Sequence, residues 1–68
     1  MQSISINTEY IKLDQMLKYC GIVDRGCDAK EIIKQGNIMV NGETELRRGR
    51  KLRKGDVVSV ENVKCIIE

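Results

Sequence analysis

Half of the twelve lysines and arginines in this 68-residue chain fall in the eight positions Arg47 to Lys54, in the order Arg-Arg-Gly-Arg-Lys-Leu-Arg-Lys. Guanidinium and ammonium groups at this density do one kind of chemistry, the recognition of anions: arginine offers a planar fork of donors and lysine a compact point charge. The stretch stands at +6, whereas Met1 to Leu46 and Asp56 to Glu68 each carry −2, so the overall charge of +2 hides a strong local asymmetry. Clustering, more than total charge, creates the field that attracts a polyanion. A phosphate backbone or an anionic membrane surface is the partner implied, and a solvated loop that only aids solubility is the plainer alternative.

Other chemistries find little support. The chain has no His, no nucleophile beside a base, no Gly-rich phosphate loop opening a helix and no convincing carboxylate pair, so general acid and base machinery is missing. Cys20, Cys27 and Cys65 are odd in number and form no CxxC pair. With no His beside them, neither a disulfide framework nor a zinc site is expected, and buried reduced thiols are the simpler reading. The chain therefore reads as a binding module, not an enzyme, with no cofactor and no metal.

The elements that must position the basic stretch follow from periodicity. Sixty-eight residues make a single domain, residues 1–68, with a thin core, and 41% hydrophobic against 32% charged residues is a foldable composition. No apolar run nears the roughly 20 residues that cross a bilayer, and the N-terminal residues lack the basic and apolar regions of a signal peptide, so a cytoplasmic protein is expected. Ser3-Ile4-Ser5-Ile6 alternates like a half-buried strand at a sheet edge. Asn7 and Thr8 supply turn or helix-capping side chains.

Leu13, Met16, Leu17 and Cys20 then share one face of a first helix ending near Gly21, with Asp14 in its first turn and Lys18 near its last, as the helix dipole prefers. After the Gly21 to Gly26 connector, Ala29, Ile32 and Ile33 predict a second, shorter helix capped by Gly36. The two make a helix-turn-helix arrangement. Lys30 and Lys34 are neighbours on the second helix surface and can overlook one groove, or simply pair with Asp28 or Glu31.

Ile38-Met39-Val40 followed by Asn41-Gly42 predicts a type I′ hairpin with Glu43 to Leu46 returning antiparallel. The basic stretch leaves as a loop anchored by Leu52, Lys54-Gly55-Asp56 turns, and Val57 to Val60 and Cys65 to Ile67 make two last strands around a turn at Glu61-Asn62. The fold class is α+β: two short helices on a small, mostly antiparallel sheet of four to five short strands.

Aromatic content narrows the binding mode. Single-strand binders stack bases on exposed rings, and this chain has only Tyr10 and Tyr19, both free simply to pack. Recognition should run through charge and shape, on the phosphates of a folded nucleic acid, with DNA left open by composition alone.

Three segments carry a family resemblance: Lys12-Leu13-Asp14-Gln15-Met16-Leu17-Lys18, then Ala29 through Gly42, then Lys54-Gly55-Asp56-Val57-Val58. Together they resemble the RNA-binding domain named after bacterial ribosomal small-subunit protein four, here the S-four domain. The resemblance runs from about Lys12 to Val60 and is strongest to the stand-alone bacterial branch, the YaaA/YbcJ-like proteins, which share the run Arg47 to Leu52. It implies an αL-type motif whose two helices and following hairpin form an RNA-binding face serving structured RNA, ribosomal or transfer RNA, in ribosome assembly or translation. Carried onto this sequence, the contacts are Lys12, Lys30, Lys34 and the basic residues Arg47, Arg48, Arg50 and Lys51. Many family members place Ser or Thr and then Arg just before the second helix, where this chain departs from the pattern with Arg25-Gly26; Arg25, shifted by one place, is the candidate to substitute.

A monomer is expected, with no membrane partner. Competing readings are a protein-interaction module whose basic loop meets an acidic partner, and a DNA-binding helix-turn-helix. The pattern from Val40 to Glu43 with Leu52 and Gly55-Asp56 also resembles β-grasp sulfur carriers, but the chain ends Cys65-Ile66-Ile67-Glu68 without the diglycine that such chemistry activates.

Overall fold

The computed structural model describes residues 2–23, 26–60 and 63–68. In chain order its elements are β1 (Gln2–Ile4), β2 (Ile11–Lys12), α1 (Leu13–Tyr19), α2 (Gly26–Lys34), β3 (Ile38–Val40), β4 (Glu43–Thr44), β5 (Lys51–Leu52), β6 (Val57–Val60) and β7 (Val63–Ile67). Arg25 and the turn expected at Glu61-Asn62 lie outside the described residues, as does the side chain of Cys27.

The α+β expectation is met. A five-stranded sheet runs in the order β1-β7-β6-β3-β4. All its pairs are antiparallel except β1 with β7, and β1, which takes in only the Ser3-Ile4 half of the alternating N-terminal segment, lies at the edge of the sheet. Alternate positions point one way: Ile38 and Val40, Val58 and Val60, and Cys65 and Ile67 are buried. They form one core with Leu13, Met16 and Leu17 of α1 and Ala29 and Ile33 of α2. Full burial of each such aliphatic side chain contributes about 1.5–3 kcal/mol, which is how seven- and nine-residue helices, too short to persist alone, are held.

Local signals behave as their chemistry dictates. Helix α1 closes in a Schellman motif, with Gly21 at φ +77°, its N–H on the carbonyl of Lys18 and the N–H of Ile22 on that of Leu17. The hairpin between β3 and β4 places Asn41 at φ +54° and Gly42 at φ +86°, the left-handed pair a type I′ turn requires. Asn41 also ties this hairpin to the turn before β6: its amide nitrogen donates to Asp56 Oδ1 at 3.1 Å, and its amide oxygen accepts the Val57 N–H at 2.9 Å. The Asn41-Gly42 and Gly55-Asp56 turns thus meet in space.

Three expectations change. The strand after the hairpin stops at Thr44 instead of Leu46, because the Glu45 carboxylate takes the N–H groups of Leu46 and Arg47 and bends the chain away. The basic stretch is not loop throughout: Lys51 and Leu52 pair antiparallel with Lys12 and Ile11, making a separate two-stranded ribbon. Finally, the second helix is the longer and not the shorter, with nine residues in α2 against seven in α1; of the two roles open to Thr8 it takes the local one, its hydroxyl donating to the Tyr10 carbonyl, and α1 has no side-chain cap.

Candidate nucleic-acid interface

The first helix begins against the basic loop. The N–H of Leu13 donates to the carbonyl of Arg50 at 2.9 Å, and that of Asp14 to the carbonyl of Arg48 at 3.1 Å. Two of the amides left orphaned at a helix start are thereby satisfied by the backbone of the basic loop itself. The loop is pinned to the helical layer while its side chains stay outside: Arg47 and Arg48 are exposed and Arg50 half-buried.

A second fastening comes from Glu45, which is buried to 6% exposure. Its Oε2 accepts from the Leu46 and Arg47 N–H groups and from Arg47 Nε at 3.1 Å, while its Oε1 accepts from Arg47 Nη2 at 3.2 Å and Arg50 Nη1 at 2.8 Å. The Arg47 guanidinium, then that of Arg50, hold the carboxyl at about 2, well below its ordinary 4.5, with desolvation pulling the other way. Arg47 is correspondingly pushed up by the same contact. Two of the six positive charges in the stretch are thus already paired with a buried carboxylate, with outer guanidinium donors left over.

The ribbon supplies the next part. Pairing of β2 with β5 sets Lys12 directly opposite Lys51, both exposed, while Ile11 and Leu52 face inward, Leu52 fully buried as the anchor expected of it. Like charges directly opposite across strands are unfavourable unless an anion joins them. Tyr10, one position before β2, lies under this row, with Lys51 Nζ 4.9 Å and the Arg53 guanidinium carbon 5.9 Å from its ring centroid. Both are cation–π distances.

Of the residues singled out from sequence, Lys12, Arg47, Arg48, Arg50 and Lys51 are brought together by the loop and ribbon. Lys34 lies in the last turn of α2, just before Gly36, where an added Cβ would come within 4.0 Å of the Thr44 and Leu46 side chains, next to where the basic loop begins. Lys30 is exposed one turn earlier on that helix. Among the described residues no ion pair ties Lys30 or Lys34 to the loop. Sequence reading missed Glu45, Tyr10 and Arg53. Glu45 was legible in principle, since it stands two and five residues before the arginines it holds. Tyr19, free to pack on sequence grounds, is 66% exposed.

No group of three or more residues able to hold a metal occurs among the described residues, and no described helix is long and apolar enough to cross a membrane. The model of the S4 domain matches residues 4–68. A Bacillus subtilis (strain 168) protein described as "Probable ribosome maturation protein RlbA" is 47% identical over 58 residues, covering 85% of this chain and 82% of that protein. The solution structure of YbcJ from E. coli, described as revealing an αL motif involved in RNA binding, superposes with a TM-score of 0.76 at 28% identity, over 98% of this chain and 86% of that one. The ribosomal protein S4e of Thermoplasma acidophilum shares the fold, with a TM-score of 0.70 at 19% identity over 85% of this chain, which spans 31% of its length. With its whole described body matched from Ile4 onward, this chain belongs to the S4 domain family.

Proposed function

We propose that this protein is a non-catalytic module that binds structured RNA, ribosomal or transfer RNA, in ribosome maturation or translation. The observation that carries the reading is the basic loop fastened by its own backbone to the start of α1, which sets Arg48 and the Glu45-held Arg47 and Arg50 beside the helix start that follows the Lys12–Lys51 row. Family membership and the names of the relatives support RNA over DNA or an acidic protein. The cations act by neutralising backbone phosphates and releasing their counterions. With about four phosphates engaged, log K should fall against log salt with a slope of roughly −3.

Salt-titrated binding of the protein and its Arg48→Glu variant to a structured ribosomal RNA fragment, a matched single strand and duplex DNA tests this. Preference for the folded RNA, weakened in a folded Arg48→Glu variant, is expected. Equal affinity for all three nucleic acids, or none for any, would overturn it.

A further inference from the structure

The outer face of the β2–β5 ribbon carries Tyr10, Lys12, Lys51 and Arg53, because the pairing that turns Ile11 and Leu52 inward turns these four outward. Among the described residues the three cations on this face have one ion-pair partner, Glu9, which is 84% exposed and 3.8 Å from Arg53, too open and too long to neutralise much. Arg47 and Arg50 differ in having a buried carboxylate of their own. A ribbon of two residues per strand gains nothing from setting Lys12 against Lys51. Lys51 and Arg53 nevertheless both lie over the Tyr10 ring, at 4.9 and 5.9 Å, and the Thr8 hydroxyl donates to the Tyr10 carbonyl at 2.9 Å.

We propose that this face is a phosphodiester-binding subsite in its own right, in which Tyr10 gathers Lys51 and Arg53 beside Lys12 to grip the RNA backbone next to the segment held by the loop. The inference rests on the RNA-binding reading above and deepens it by adding Arg53 as a phosphate contact and Tyr10 as a positioning residue. Tyr10 acts through the cations it holds. Its removal leaves the net charge unchanged and loosens the geometry alone.

The test is fluorescence-anisotropy binding of a labelled stem-loop RNA at several salt concentrations. Arg53→Gln should reduce the magnitude of the salt slope by about 1 and weaken binding uniformly across sequences. Tyr10→Leu should weaken binding roughly 2- to 5-fold without any change in charge, the worth of an exposed cation–π contact, and Tyr10→Phe should restore it. In a Tyr19→Phe background, RNA should also perturb the emission of the remaining tyrosine. If the wild type binds and Arg48→Glu weakens it while Arg53→Gln and Tyr10→Leu bind as the wild type does, the subsite is wrong and the RNA reading stands. No binding by the wild type overturns both. Should Tyr10→Leu prove unfolded by circular dichroism, the exposed Arg53→Gln decides alone.

Discussion

Arg50 Nη1 stands 2.8 Å from Oε1 of Glu45, and Arg47 spans both oxygens of the same carboxylate, with Nε on Oε2 and Nη2 on Oε1. A run that reads in sequence as six equivalent positive charges is therefore divided, with Arg47 and Arg50 bound to a buried acid and the others not. The division decides how each charge responds to substitution.

Arg48 and Arg50 should behave differently when reversed. Arg48 has no ion pair among the described residues, so Arg48→Glu should weaken RNA binding and leave thermal unfolding unchanged. Arg50→Glu sets a second carboxylate against Glu45 and strips it of a donor, which should cost about 1–3 kcal/mol of stability in addition to affinity. Parallel melting curves and binding isotherms check this, and equal stability of the two variants would show that the Glu45 contact is energetically idle.

The pH dependence of stability carries the mark of Glu45. Its carboxyl is lowered in the folded state, from 4.5 to about 2, so the stabilisation is complete above the ordinary value and drains away as pH falls from there through about 2. Glu45→Gln cannot change charge and should flatten that part of the curve. Thermal midpoints across the acid range, compared between the two proteins, measure it.

Core truncations report on the helical layer. Leu17 and Ile33 are fully buried or nearly so, and Leu17→Ala or Ile33→Ala should each cost ~2–5 kcal/mol through lost burial and the cavity left behind. In a domain this small that approaches the whole margin of stability. Urea denaturation gives the value, and a cost under 1 kcal/mol would mean that the site collapses around the gap.

The thiols of Cys20 and Cys65 lie 3.1 Å apart, one on the end of α1 and one in β7. Burial, then the contact with Cys65, pushes the Cys20 thiol up to about 12, so almost no thiolate forms at neutral pH. In a Cys27→Ser background, alkylating reagents should label the folded protein far more slowly than the urea-unfolded one. Rapid labelling of the folded state would show that the pair is open to solvent.

Removing the Asn41 side chain should loosen the junction of two turns. Asn41→Ala leaves the Val57 N–H without its side-chain acceptor and Asp56 Oδ1 without its side-chain donor, while Oδ2 keeps the Arg53 N–H, at an expected cost of about 1–2 kcal/mol. The variant's denaturation midpoint tests it.

Much of this protein is determined by sequence alone, because the forces concerned are local. The i, i+3, i+4 spacing of Leu13, Met16 and Leu17, the positive-φ turn at Asn41-Gly42 and the β-branched run from Val57 to Val60 place the helices and main strands, and the clustering of charge at Arg47 to Lys54 marks the basic face. The ordered motifs also point to the family. Tertiary structure alone decided the rest. The ribbon joins Ile11-Lys12 to Lys51-Leu52, segments too short to show a period and some forty residues apart, and only that pairing sets Lys12 against Lys51 and brings Lys51 and Arg53 over Tyr10. Glu45 likewise counts as one more surface acid until the folded chain excludes water around it. Its ionised form then depends on two guanidinium groups, and a nearby charge becomes the fastening of the loop.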